Sequence, residues 1–133
     1  MATRKIVLVE DDEVLAKVAL TELTDAGFAL IEAEDGGKGL GMALSEHPAI
    51  ILLDINLPVM DGLTVMKNLR EDVWGKKVPV LIFTVVEPDN KVMHTITQYE
   101  PSYYLVKSKW KIEDIVNRVK EIFERSQPPK SHP

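Results

Sequence analysis

The stretch Ile50-Ile51-Leu52-Leu53-Asp54-Ile55-Asn56-Leu57-Pro58-Val59-Met60-Asp61-Gly62 decides the fold. Four apolar residues in succession, β-branched or leucine, have the composition of a strand buried on both faces. The run stops on a carboxylate, Asp54. In an open parallel sheet, ligands sit at the carboxyl ends of the central strands, at the topological switch point. Asp54 is therefore expected at the lip of a dry core. Pro58 and Gly62 mark a tight connection, and Asp61 is placed to cap the helix that follows. Taken alone, Asp54 also reads as a turn residue that merely ends a strand; the other strand ends decide between the two.

Outward from that run the chain alternates. Ile6 to Val9 is a short apolar run that ends abruptly in Glu10-Asp11-Asp12-Glu13. Leu15, Val18, Ala19, Leu23 and Ala26 recur at helical spacing until Gly27 stops the helix. Phe28 to Ala33 reads as a weaker strand, and its Glu32 suits a sheet edge. Leu40, Ala43 and Leu44 mark a second helix between Gly36-Gly37 and His47-Pro48, with a start that its glycines make soft. Leu63, Met66, Leu69 and Val73 predict a third helix ended by Gly75. Val78 to Phe83 is another buried-strand run, stopping at Thr84. Val92, Met93 and Ile96 put one face on a short helix between Pro88 and Tyr99. Tyr103 to Val106 is a fifth strand that ends at Lys107. Ile112, Ile115, Val116, Val119, Ile122 and Phe123 give the cleanest amphipathic helix of the chain.

Five strands alternating with five helices predict an α/β fold: a single doubly wound five-stranded parallel sheet, strand order 2-1-3-4-5. Residues 1–125 make one domain, and 126–133, with three prolines, have the composition of a tail or the start of a linker. A chain of 133 residues supports one domain with a real core. The net charge of -5 lacks the basic footprint that nucleic-acid binding needs. The absence of cysteine excludes disulfides, thiol catalysis and thiolate metal sites. No run of about 18 apolar residues offers a membrane span, and the first apolar run is too short for a signal-peptide core. A cytoplasmic location is the expectation.

The strand ends, set side by side, carry Glu10 and Asp11, then Asp54, then Thr84, then Lys107. A parallel sheet lines all of them along one edge, and strands one and three are neighbours across the switch point. Three carboxylates converge there. Like charges that close disfavour one another unless a cation sits among them. Oxygen ligands with open water positions suit Mg²⁺ and phosphate, whereas no dense loop of alternating acids is present for calcium. A carboxylate beside Mg²⁺, a hydroxyl and a lysine is a phosphoryl-transfer site. Asp54 is the expected nucleophile, with Lys107 spreading the charge and the Thr84 hydroxyl bonding a phosphoryl oxygen.

These residues resemble the receiver domain of two-component response regulators, over about Lys5 to Phe123. The resemblance is carried by Val-Glu-Asp-Asp at 9–12, Asp-Ile-Asn-Leu-Pro-Val-Met-Asp-Gly at 54–62, Phe-Thr at 83–84 and Tyr-Leu-Val-Lys at 104–107. It implies the flavodoxin-like receiver fold and an Asp54 that accepts phosphate from a phosphohistidine on a sensor histidine kinase or histidine phosphotransfer protein. It implies that Glu10, Asp11 and Asp54 hold Mg²⁺ together with the backbone carbonyl of Asn56. Thr84 and Tyr104 become a switch pair that remodels the face of the fourth helix, fifth strand and fifth helix toward a downstream target, an output domain or a dimer partner. Such a domain is no turnover enzyme: it catalyses its own Mg²⁺-dependent phosphorylation and slow autodephosphorylation.

Three positions depart from the family pattern. Proline usually follows the lysine, commonly with a cis peptide; here Ser108 does, and a non-proline cis bond costs about 2.5–4 kcal/mol. A small residue usually follows the threonine; here Val85 and Val86 are expected to narrow access for the attacking water. Pro101-Ser102 replaces a small, glycine-containing loop. Rival readings fare worse. A flavin carrier needs a small, hydroxyl- and glycine-rich loop after the first strand, and Glu10-Asp11-Asp12-Glu13 is opposite in charge. An aspartate-nucleophile phosphatase carries a second aspartate two residues on, where this chain has Asn56. A degenerate receiver serving only as a docking module is the remaining alternative. The scattered His47, His94 and His132 form no ligand set, and Trp74, Trp110 and Tyr103 read as packing residues.

Overall fold

A computed structural model describes residues 4–125. The expected tail at 126–133 lies outside them. Five strands and five helices alternate: β1 (Lys5–Val9), α1 (Glu13–Asp25), β2 (Ala29–Ala33), α2 (Gly36–Glu46), β3 (Ile50–Leu53), α3 (Gly62–Glu71), β4 (Val80–Thr84), α4 (Asn90–Thr97), β5 (Tyr103–Val106) and α5 (Ile112–Arg125). All pairings are parallel, in the order β2-β1-β3-β4-β5, as the alternation predicts. Every residue of β3 is buried, because helices cover both faces of the sheet. One layer packs Leu23, Phe28, Ile115, Val119 and Phe123 against Ile6, Leu8, Ile50, Leu52 and Leu81. The other packs Val65, Met66 and Leu69 against Val7, Val9, Ile51, Leu53, Val80 and Ile82. The alternation of strand residues between the layers is the pleat itself.

Register brings the chemistry to one edge. Val9 lies opposite Leu53, and Leu53 opposite Ile82, so Glu10, Asp54 and Phe83 follow in one row across three strands. Thr84 lies opposite Val106, which puts Lys107 one step beyond it. The helices that leave this edge begin on aspartates: Asp12, Asp35, Asp61 and Asp89 each accept a backbone N–H of the first turn. Asp61 does cap α3, through the N–H of Thr64.

Val59 departs from ordinary backbone geometry. Its φ is 69°, and the Met60 N–H donates to Pro58 O at 2.7 Å, closing a three-residue turn around it. That conformation is strained for a β-branched residue. Its side chain nevertheless stands exposed.

Some expectations at element ends are corrected. Val73 is not part of the buried face of α3; the helix ends at Glu71, Asp72 is extended, and Val73 is 88% exposed. Val18 and Met93 lie at the margins of their apolar faces and stay exposed, leaving Ile96 as the one buried residue of α4. β2 starts one residue after Phe28 and β4 two after Val78, since Pro79 precedes the ladder that it feeds through its carbonyl.

Candidate functional site

Three carboxylates meet at the carboxyl edge. Oxygens of Glu10, Asp11 and Asp54 lie within 4.8 Å of one another. Glu10 and Asp54 are buried, and Asp11 is exposed at the mouth. Asp12, the third acid of the run, is committed elsewhere: its Oδ1 accepts the Val14 and Leu15 N–H groups that open α1. Its own N–H donates to Glu10 Oε1 at 3.2 Å, which fixes the Glu10 side chain. The loop after β3 does the same for the aspartate, as the Asn56 N–H donates to Asp54 Oδ1 at 3.1 Å.

Lys107 supplies the cation that this crowding requires. Its Nζ donates to Asp54 Oδ2 at 2.8 Å and to Glu10 Oε1 at 2.9 Å. No cis peptide occurs among the described residues, so Lys107-Ser108 is trans. The lysine is positioned without proline, because its backbone N–H continues the ladder by donating to Thr84 O at 2.7 Å. Burial works against the ammonium, but the hydrogen bonds and charges of Asp54 and Glu10 outweigh it, and the Lys107 pKa is raised. The donor set is all hard oxygen around a gap that an ammonium already bridges. This acidic group is chemically suited to a divalent cation of the Mg²⁺ type.

Thr84 is fully buried at the end of β4, and its Oγ1 accepts the Val86 N–H at 3.3 Å. Tyr104, one strand over, donates its hydroxyl to Val86 O at 2.7 Å. The two side chains therefore hold both polar groups of one residue in the loop between β4 and α4. Burial, then the charges of Glu87, Asp54 and Asp89, raise the Tyr104 pKa and keep the donor protonated. Tyr103 faces the other layer and donates to Glu121 Oε2 at 2.9 Å. His47 stacks on Trp74 with ring centroids 4.4 Å apart, at the far edge. Trp110 packs against the layer of α1 and α5.

The Glu10 carboxyl is raised above the ordinary glutamate value, chiefly by burial and in part by the Asp54 charge, against the lowering effect of Lys107. The folded state thus holds this proton more tightly than the unfolded chain. Stability from this group is greatest at low pH and falls as pH rises from about 4.5 through the folded pKa. In chelated buffer, Glu10→Gln has no such loss. Thermal melts are expected to show its advantage over the parent growing as pH rises above about 4.5; a gap constant with pH contradicts this.

Two contributors were not legible in the chain: the Val86 peptide, whose role is carried by backbone atoms, and Phe83, whose ring lies beneath Lys107 Nζ at 5.9 Å. The register row of Glu10, Asp54 and Phe83 is the signal that finds the second.

The chain is similar to known proteins in sequence and fold. Residues 6–120 match the response regulator receiver domain family. The chain is 30% identical over 124 residues to RpaA of a Synechocystis strain, named a DNA-binding dual master transcriptional regulator; the match spans 92% of this chain and 50% of RpaA. It is 34% identical over 82 residues to the polar-differentiation response regulator DivK of Brucella abortus, spanning 62% of this chain and 67% of DivK. Against the response regulator PleD of Caulobacter vibrioides the match spans only 18% of the relative. The chain thus spans half or less of the length of these first two regulators, RpaA and PleD. The chemotaxis protein CheY4 of Vibrio cholerae superposes with a TM-score of 0.81 at 26% identity, over 91% of this chain and 99% of that one. A CheY-like receiver of Methanospirillum hungatei, at 19% identity and a TM-score of 0.84 over 93% and 96% of the two chains, shares the fold. Among the described residues no helix is long and apolar enough to cross a membrane. The five-stranded topology, the acidic edge and the sequence match together establish that this chain belongs to the response regulator receiver domain family.

Proposed function

We propose that Asp54 is the phosphoacceptor of a two-component signalling step. The observation that carries this reading is the meeting of the buried Asp54 carboxylate with Lys107 at 2.8 Å inside the Glu10–Asp11–Asp54 cluster. The donor is a phosphohistidine of a sensor histidine kinase or histidine phosphotransfer protein. One Asp54 oxygen attacks phosphorus in line, the bond from phosphorus to the donor nitrogen breaks, and an acyl phosphate forms on Asp54. Glu10, Asp11, Asp54 and the Asn56 carbonyl hold Mg²⁺, which when bound supplies charge neutralisation at the phosphoryl oxygens. Lys107 moves its hydrogen bond from the carboxylate to a phosphoryl oxygen, and Thr84 turns its hydroxyl from the Val86 amide toward the same group. That release is felt at Val86, which Tyr104 also holds, so the loop into α4 and the face of α4, β5 and α5 change together. An output domain, a separate protein target or a second copy of the chain reads that face.

Asn56 stands where a hydrolase needs an acid, so the acyl phosphate persists and the chain is no turnover enzyme. Val85, the residue after Thr84, is exposed. Val85→Ala is expected to shorten the acyl-phosphate lifetime by a few fold, since a smaller side chain admits water more readily; an unchanged decay rate removes that role.

Intact mass after incubation with phosphoramidate, with and without Mg²⁺, tests the reading. The expected result is a gain of one phosphoryl group that requires Mg²⁺. No gain in the parent overturns it in favour of a phosphorylation-independent docking module.

A further inference from the structure

Lys107 has a distance problem. It leaves from β5 yet ends at Asp54 on β3 and Glu10 on β1. β4 lies between, so the backbones of β5 and β3 stand about 9–10 Å apart, two strand spacings, and the lysine stem must reach over β4 to meet the Asp54 carboxylate. A flexible stem rich in rotamers does not hold such a path unaided. Its peptide is trans, so no proline turn aims it.

What lies under the path is Phe83. Leu53 pairs with Ile82 and Phe83 with Leu105, so Phe83 shares a row with Asp54 and a sheet face with Leu105 and Lys107. Its ring is half-buried on the layer of α1 and α5, where Leu15 and Ile112 line the same small cavity as Glu10 and Asp54. Lys107 Nζ stands 5.9 Å from the ring centroid, within reach of the negative face of the π-system. The ring offers the stem an apolar floor and the ammonium a weak attraction that competes with bulk water.

We infer that Phe83 is a positioning residue for phosphoryl transfer: its ring carries Lys107 across β4 and holds the ammonium over Asp54. This rests on the proposed function of Asp54. Phe83→Leu keeps an apolar side chain in the layer and removes the aromatic face, whereas Phe83→Tyr keeps the face.

The test combines phosphoramidate kinetics in Mg²⁺ with proton NMR of Lys107. Phe83→Leu is expected to phosphorylate about three- to tenfold more slowly, and Phe83→Tyr at close to the parental rate. In a Lys107→Met background Phe83→Leu is expected to have no further effect, because a residue acting through Lys107 has nothing left to position. The Lys107 ε-methylene protons of the parent are expected upfield, under the ring current, and to return downfield in Phe83→Leu. That parental shift is readable even if a variant does not fold, and its absence overturns the proposal. Equal rates for parent and Phe83→Leu, or additive losses in the double variant, overturn it too. No uptake by the parent overturns the proposed function, and the role of Phe83 with it.

Discussion

Asp54→Ala is expected to take up no phosphoryl group from phosphoramidate in Mg²⁺, at any incubation time that labels the parent. The loss is complete because the oxygen that forms the new bond is gone. Asp11 lies exposed at the mouth, and Glu10 is tied at Oε1 to both Lys107 and the Asp12 amide, so neither replaces it. The fold is expected to survive, since Lys107 keeps Glu10 at 2.9 Å and the Asp54 charge that disfavours ionised Glu10 disappears. Lys107→Met gives a contrasting result. The nucleophile remains, and only one stabilising donor is lost, so uptake slows by about 10²–10³-fold without vanishing. That variant also leaves two nearly buried carboxylates without their ammonium. Mg²⁺ is therefore expected to raise its melting temperature more than it raises the parent's, through binding to the folded state alone. Intact mass and thermal melts with and without Mg²⁺ read both variants. Residual labelling of Asp54→Ala would show that another side chain is the acceptor.

That contrast also marks how far the chain could be read without coordinates. Apolar runs ending on Glu10, Asp54, Thr84 and Lys107 are legible because a strand buried on both faces admits few polar residues, and those it ends on stand out. Parallel winding then places them on one edge without any knowledge of contacts. The ends of helices are less legible. Val73 fits the apolar spacing of α3, but spacing does not say that Asp72 turns extended and ends the helix at Glu71, two residues earlier. Met93 is an i, i+3 neighbour of the buried Ile96 and fits the spacing, but on a helix of eight residues such a position falls at the margin of the apolar face and not in the core. The grip of Thr84 and Tyr104 on Val86 is a backbone fact, so residue types alone could not announce it.

Three glycines of α2 are expected to respond to alanine in three different ways, and Gly36→Ala is the most damaging. Composition alone suggests that glycines soften this helix. The packing separates them. A Cβ on Gly36 would fall 1.7 Å from the Met60 carbonyl oxygen, and backbone cannot swing aside as a side chain does. The neighbouring bond, Gly36 N–H to Pro58 O at 3.3 Å, ties the start of α2 to the loop that follows Asp54. Gly36→Ala must push that loop outward, and a loss of about 3 kcal/mol or more is expected. On Gly39 the Cβ would meet the two methyls of Val9 at 2.6 and 2.7 Å. Val9 is buried at the end of β1, so the clash is shared with a side chain, and about 1–3 kcal/mol is expected. Gly41 has nothing within 4 Å and lies exposed in the helix interior. There alanine removes only unfolded-state freedom and is expected to stabilise by about 0.5–1 kcal/mol. Urea melts of the three variants test the order. If Gly36→Ala were as stable as the parent, the close approach of α2 to the Asp54 loop would not be a constraint on this site. If it unfolds early while Gly41→Ala gains, the helix is glycine-rich because of what it touches at two of its positions, and the loop that orients Asp54 is held from the side by α2.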